Sequence, residues 1–445
     1  MISKETLAQV ILDYHRIQLP DLIERELDIK FHIPIRRARV ILGPRRSGKT
    51  FYMYSLMKKL LKNNIQWENI LYINFEDPKL TGMDLQDMMK LLDAFYEIYP
   101  AKKKEKIWLF LDEVQAVVQW EKFVRHLLDR ENAEIFLSGS SSRLLSKEIA
   151  TSLRGRTLSY MMLPFSFAEF LKARDIKYSN YMSSEERSSL LNALSEYFTY
   201  GGYPEAVIYP AARNKIMNEI VEITVYRDVI ERHNIRNIKV VKLMFKALIE
   251  AKEFSIHQFY HYLKSLNIKV GKNNLYNYLE YFNEAFVLFP LRKFSSSIKN
   301  LEQSIPKIYS VDNGFLEIIV GNNKSKKMEN LVFLSLLRMG YELNKDIFYY
   351  SLHAGEIDFV IRQKRKNTIL IQACYDMHNF QTRHRELKSL IKASEELMCK
   401  EMVVITYDQE GEEKIGNQRI RILPLWKWLM GGEVQGGKGT EELRR

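Results

Sequence analysis

Unbroken apolar runs punctuate the first third of the chain. Val40-Ile41-Leu42, Leu71 to Phe75, Ile107 to Leu111 and Ile135-Phe136-Leu137 each stop at a polar or glycine-rich stretch. Short runs without polar alternation predict strands buried on both faces of a parallel sheet. Helix-like stretches, among them Phe51 to Leu61 and Gln115 to Leu128, lie between them. The alternation predicts an α/β layered domain from Val40 to about Leu163, behind a helical and basic lead-in, Met1 to Arg39. From Pro164 to about Ile235 the pattern turns helical and suits a small lid, with Gly201-Gly202-Tyr203-Pro204-Glu205 as a turn. Asn237 to about Ser297 predicts three helices and a following strand. From Pro306 to about Leu429 the α/β alternation returns. There, helix Met328–Met339 precedes strands Ile347–Leu352, Ile357–Ile361 and Thr368–Ala373, then helix Thr382–Met398 and strand Met402–Thr406. Gly431 to Arg445 is Gly-rich and charged, and reads as a mobile tail. The expected divisions are therefore 1–163, 164–236, 237–305, 306–430 and 431–445.

The first apolar run opens directly into Gly43-Pro44-Arg45-Arg46-Ser47-Gly48-Lys49-Thr50, which fits the phosphate-binding loop G-x-x-x-x-G-K-[ST] at every fixed position. Strand before and helix after supply the setting that gives the motif meaning. The glycines let backbone N–H groups close round phosphates, and the helix N-terminus adds its positive end. Lys49 is expected on the terminal phosphates of ATP and Thr50 on Mg²⁺. The third run ends in Asp112-Glu113, where Asp112 suits Mg²⁺ and Glu113 suits polarising the attacking water. The other reading of this pair is a cap on the next helix. The fourth run leads into Ser138-Gly139-Ser140-Ser141-Ser142-Arg143, which offers Ser138 and Ser140 as side chains that sense the γ-phosphate, or else a plain loop and cap. Arg154 and Arg156 each suit an arginine finger, in cis or across a subunit boundary, or an ordinary surface pair.

Composition narrows the class. The 445 residues are 46% hydrophobic and 27% charged, enough to build cores. No apolar stretch approaches the roughly 20 residues needed to span a bilayer, and the N-terminus lacks a signal-peptide layout. Two cysteines, Cys374 and Cys399, give no disulfide framework. A cytoplasmic protein without a membrane partner is expected. The net charge of +12 favours a polyanion, nucleic acid first.

The region Asn237–Ser297 has the dimensions of a winged helix-turn-helix. Its third helix, Lys272 to Ala285, buries Leu275, Leu279, Phe282 and Phe286 on the expected face. Lys272, Asn273, Tyr276 and Asn277 are left outward for DNA. Phe286 to Phe294 is then the wing, with Arg292 and Lys293 on the backbone. Such modules also mediate protein contacts.

A second carboxylate set lies further on. Glu329 starts a helix, Glu356 and Asp358 open a strand, and Gln372-Ala373-Cys374 closes the next. Restriction-type nucleases hold a metal with a Glu, an Asp and a Glu-x-Lys on adjacent strands. Glu329, Glu356 and Asp358 are therefore candidate ligands of a second metal. Gln372 and Cys374 stand where Glu and Lys are needed, leaving only Lys364 or Lys366 to swing in. A nuclease-like domain without cleavage is the expectation, and an ATP-dependent nuclease the alternative.

Taken with Leu153-Arg154-Gly155-Arg156, Leu163 to Phe170, Gly201–Glu205 and Gly355 to Val360, these motifs give a chain that resembles archaeal and bacterial AAA-type P-loop ATPases carrying a C-terminal restriction-endonuclease-like domain. The resemblance covers nearly the whole length. It implies a multidomain α/β protein: an AAA-type core with a helical lid, a winged helix-turn-helix and a nuclease-like α/β end. ATP and Mg²⁺ are the implied cofactors, and relatives of this type assemble through their cores. The expected activity is ATP hydrolysis coupled to DNA association. A nucleotide-dependent switch with protein partners is the alternative from another class.

Overall fold

The structure, a computed structural model, describes residues 2–140, 153, 155–179, 181–353, 355–364 and 366–431. Arg154, the segment Ser141 to Arg143 and the expected tail beyond Gly431 lie outside the described residues. The chain divides into two compact units: the chain up to Leu163 with Glu284–Phe286, and Pro164–Asn283 with the chain from Val287 on.

The first unit holds a five-stranded sheet of β1 (Ala38–Leu42), β2 (Ile70–Asn74), β3 (Ile107–Asp112), β4 (Ala133–Gly139) and β5 (Thr157–Met161), ordered β2-β3-β4-β1-β5. All neighbours run parallel. β1 is buried at every residue, as the unbroken apolar runs imply. β4 lies between β1 and β3, so the carboxyl ends of the strands that carry Gly43, Ser138 and Asp112 stand side by side. This is where open parallel sheets place ligands. Helix α1 (Lys4–His15), capped by Ser3, buries Leu7, Val10 and Ile11 against β2 and α3 (Leu85–Ile98). Helix α2 (Lys49–Lys62) follows the glycine loop. The helix expected over Gln115–Leu128 starts later. A 3₁₀ turn at Val114–Ala116 and a left-handed Gln119 delay α4 to Trp120–Arg130, so Asp112 and Glu113 do not cap it.

The second unit begins with helices α5 (Phe167–Ala173), α6 (Ser184–Tyr200), α7 (Pro204–Ile208) and α8 (Arg213–Ile223). Capping boxes at Ser166/Glu169 and Ser183/Glu186 start the first two. Between α6 and α7 the glycine turn packs without room: a Cβ on Gly202 would stand 2.2 Å from the Phe165 carbonyl oxygen. Asp312, fully buried, accepts the Gly202 and Gly314 N–H groups at 2.7 Å each.

Next come α9 (Ile238–Glu250), α10 (Ile256–Ser265, capped by Ser255) and α11 (Lys272–Glu284). The ribbon of β6 (Leu288–Leu291) and β7 (Lys307–Ser310) is antiparallel, and β7 also bridges Glu253. The observed order is helix–strand–helix–helix–ribbon. The expected division at 305/306 falls between the two strands of that ribbon. The connection from β6 to β7 is no free wing. It contains α12 (Ile298–Glu302), and Phe294 donates to Tyr349 O at 2.7 Å, which stitches it to the next sheet.

After α13 (Asn313–Val320) and α14 (Lys324–Arg338), six strands form the last sheet: β8 (Ile347–Leu352), β9 (Gly355–Gln363), β10 (Lys366–Ala373), β11 (Glu401–Thr406), β12 (Gly411–Ile415) and β13 (Gln418–Pro424). Their order is β12-β13-β11-β10-β9-β8, parallel at β10-β11 and β11-β13 and antiparallel elsewhere. Helix α15 (Phe380–Leu397) covers β9 and β10. The sequence pattern does not reveal β12, whose Gly411–Ile415 is half-exposed or exposed throughout.

Candidate functional site

The glycine loop closes tightly over the end of β1. A Cβ on Gly43 would lie 2.1 Å from Met162 O, and Gly48 caps α2 at φ 96°, a conformation only glycine adopts readily. Arg46 is left-handed at φ 61°. Lys49 is 4% exposed, and its ammonium donates to Gly43 O at 3.1 Å and Pro44 O at 3.0 Å. From the lead-in, Arg25 donates to Ser47 O at 2.9 Å and Leu163 O at 2.7 Å, clamping the loop from outside.

Asp112 is fully buried and surrounded by hydroxyls. Thr50 Oγ1 donates to its Oδ2 at 2.7 Å, Tyr72 Oη donates to the same oxygen at 2.9 Å, and Ser138 Oγ donates to Oδ1. Burial, then the Glu113 charge, pushes the Asp112 carboxyl above its ordinary range, while the three hydroxyls pull it back. Ser138 also accepts the Glu113 N–H at 3.0 Å. Glu113 is left-handed at φ 50°, an arrangement that stores strain at sites of function, and its carboxylate lies 3.6 Å from the Lys49 ammonium. Ser138 therefore stands between the ends of β1 and β3 and links the acidic pair. Ser140 is buried beyond it.

These residues fit a nucleotide with Mg²⁺. The Ser47 hydroxyl is buried and has no hydrogen-bond partner among the described residues, inside a loop shaped for an anion. Thr50 and Asp112 form an oxygen donor set of the kind Mg²⁺ takes. Arg45 reaches Glu76 at 3.4 Å. Arg156 is not part of this centre. Its carbonyl accepts the Ala38 N–H at the start of β1, and its guanidinium pairs with Asp129 at 2.6 Å. The loop leaves the other end of β1, about 16 Å away at strand spacing; Arg154, the other candidate, lies outside the described residues. Tyr72 and Arg25 were missed because a tyrosine in an apolar strand and an arginine in a basic lead-in carry no motif.

On α11, Leu275, Tyr278 and Phe282 are buried, and Tyr278 takes the place expected for Leu279, which is half-buried. Asn273, Tyr276 and Asn277 are exposed, and Lys272 reaches His257 Nδ1 at 3.1 Å. Arg292 and Lys293 are placed otherwise than expected. Arg292 pairs with Glu302 at 3.0 Å, and Lys293 is half-buried and bridges Tyr349.

Glu329, Glu356 and Asp358 do converge, but round a lysine that the sequence pattern does not single out. Lys307 of β7 lies 2.8 Å from Glu329 and 2.9 Å from Asp358, and also pairs with Glu356. The residues expected as a second metal site thus have an ammonium at their centre, and no group of three or more His, Cys, Asp or Glu side chains arranged for a metal occurs among the described residues. Lys364 and Lys366 are exposed at the β9–β10 turn, about 16 Å or more along the strand from Asp358. Gln372 accepts the Asp358 N–H and donates to Glu386 at 2.6 Å.

Residues 36–171 match the model of the AAA domain family. Residues 191–326 and 324–428 match two domains of unknown function, DUF8612 and DUF4143. The chain is 40% identical over 443 residues to the uncharacterized protein MJ1544 of Methanocaldococcus jannaschii, covering 97% of this chain and 96% of that protein. The chain belongs to the family of MJ1544 and carries an AAA domain over residues 36–171. An uncharacterized protein of Haemophilus influenzae is 30% identical over 347 residues, covering 76% of this chain and 82% of that one. Among solved structures, the Aeropyrum pernix ORC1 protein in complex with DNA shares 10% identity over 72% of this chain and 91% of that chain, at a TM-score of 0.29. Cdc6p of Pyrobaculum aerophilum shares 12% over 74% and 92%, at 0.28. At those scores the likeness carries no argument about function. The AAA match spans the loop, the acidic pair and Ser138. No helix among the described residues is long and apolar enough to cross a membrane.

Proposed function

We propose that this AAA-type protein hydrolyses ATP at the carboxyl edge of its five-stranded sheet and associates with DNA through α11. The observation that carries the first part is the bond from Thr50 to Asp112 at 2.7 Å, with Glu113 held beside Lys49. The loop N–H groups and Lys49 bind the phosphates. Thr50 and Asp112 would hold Mg²⁺, which when bound neutralises charge on the β- and γ-phosphates. Glu113 takes a proton from the attacking water, and Ser138 fixes its backbone through the N–H bond. The turnover test is steady-state hydrolysis, with Lys49→Ala as the blank. Glu113→Gln is expected to lower kcat by about 100-fold or more with nucleotide binding retained; unchanged turnover would remove Glu113 from the mechanism.

The DNA part rests on the net charge of +12 and on the exposed polar start of α11. Its test is hydrolysis with and without duplex DNA. Stimulation supports coupling between the two functions. Turnover indifferent to DNA, together with no salt-dependent binding, rejects this part and leaves a nucleotide switch acting on protein partners.

A further inference from the structure

We propose that Lys307 is a tethered cation standing where a restriction-type centre would hold its divalent metal, so that Glu329, Glu356 and Asp358 fasten the winged ribbon to the last sheet and do not cleave nucleic acid. Two elements bring the carboxylates in: α14 carries Glu329, and β9 carries Glu356 and Asp358 two residues apart on one face. The third element, β7, brings the ammonium, which is 1% exposed. An ammonium has three N–H donors and no acceptor; here it donates to Glu329 and Asp358 and forms a close ion pair with Glu356. Burial alone would push Lys307 down; the negative charges of Asp358, Glu329 and Glu356 outweigh it and hold the group well above its ordinary value.

The surrounding groups serve this arrangement. Tyr309, two residues along the same strand, donates to Glu329 at 2.6 Å. Lys252, largely exposed, reaches Glu356 at 3.2 Å from the rim. Asp358 also accepts the Ala373 N–H at 3.0 Å. Gln372 is committed to the Asp358 N–H and to Glu386, so the ligand position on β10 is closed. Cys374 donates to Asp376 O, and burial holds its thiol up at about 11, so it stays protonated. Lys307 cannot swing aside while β7 is paired to β6 on one side and bridged to Glu253 on the other. A divalent ion in the same place would lie against a buried ammonium of like charge.

The probe is Mn²⁺, titrated into nucleotide-free full-length protein with free Mn²⁺ counted by electron paramagnetic resonance. Wild type and Asp358→Asn are expected to bind the same number of ions. Lys307→Ala is expected to gain one ion per chain, lost again in Lys307→Ala/Asp358→Asn, because three uncompensated carboxylates then remain. A wild-type ion that disappears in Asp358→Asn overturns the proposal. So does a folded Lys307→Ala with no added ion. Should Lys307→Ala not fold, the comparison of wild type with Asp358→Asn still decides the matter.

Discussion

Tyr72→Phe tests whether the hydroxyl cage round Asp112 governs the Mg²⁺ site. Phenylalanine keeps the ring and its edge contacts with Tyr14 and Tyr54, at centroid distances of 4.9 and 5.3 Å, and removes the bond to Asp112 Oδ2 together with the long 3.5 Å contact from the Tyr54 hydroxyl. A hydrogen bond to a charged group is worth about 1.5–3 kcal/mol net, or roughly one to two pK units on the acceptor. The site is buried, so water does not readily replace the lost donor. The Asp112 carboxyl, already raised by burial and Glu113, should therefore rise further, by roughly one unit if half the bond's worth is lost to relaxation. A more basic carboxylate competes less well for Mg²⁺ against protons at low pH, yet ligates no worse when fully ionised. The acidic limb of ATP turnover should move up by about one pH unit, and half-saturating Mg²⁺ should rise on that limb, by up to about tenfold at its acid end. At alkaline pH the variant should match wild type. The assay is steady-state hydrolysis across Mg²⁺ concentration at several pH values. An unmoved acidic limb, or a loss of kcat equal at all pH values, would refute the argument, since a merely structural role has no reason to track protons.

The remaining predictions address the second unit. Lys272→Ala is expected to weaken duplex binding and to reduce the salt slope by about one. Arg292→Ala should change neither, because Glu302 already engages that guanidinium; equal losses in the two variants would put the ribbon back among the DNA contacts. Gly201→Ala should destabilise the chain by roughly 2 kcal/mol or more in a denaturant titration, since φ is 74° and the added Cβ would lie 1.8 Å from Asp312 Oδ1. Asp312 is pushed up to about 6, chiefly by burial and despite the Gly202 and Gly314 N–H groups and the Arg338 charge. Its folded value exceeds its unfolded one, so its contribution is fully present below about pH 4 and is lost as pH rises through about 6. Wild-type stability compared at pH 5 and pH 8 should show this fall, and Asp312→Asn should flatten it; an unchanged slope would count against the buried carboxyl as its source.

The first unit was legible because its chemistry is local in sequence. Eight consecutive residues form the loop, and each apolar run ends at the residue its strand presents. Gly43, Ser138 and Asp112 reach one edge because parallel strands that leave the same layer put their carboxyl ends together. Only strand order was needed to join them, and β4 lying between β1 and β3 supplies it. The start of α10 was legible for a similar reason, as Ser255 caps it where the change of pattern puts a helix start. What could not be read was pairing at a distance, such as Arg25 on the loop and Tyr72 on Asp112.

The carboxylate centre was half legible for the same reason. Glu356 and Asp358 alternate on one strand, so their shared face follows from the period of two. Glu329 lies 27 positions before Glu356 and Lys307 a further 22 before that, and nothing in either spacing says that they meet. The expectation of a lysine from the β9–β10 turn took the nearest cation in sequence. The structure takes one from β7, which is paired to β6 in a ribbon stitched to the sheet by the bond from Phe294 to Tyr349. Lys307 falls within the expected division 306–430 together with all three carboxylates, so the boundary did not hide it. A lone lysine before a short apolar run carries no signal in sequence, and only the pairing of β7 with β6 brings it to the point where three carboxylates require a cation.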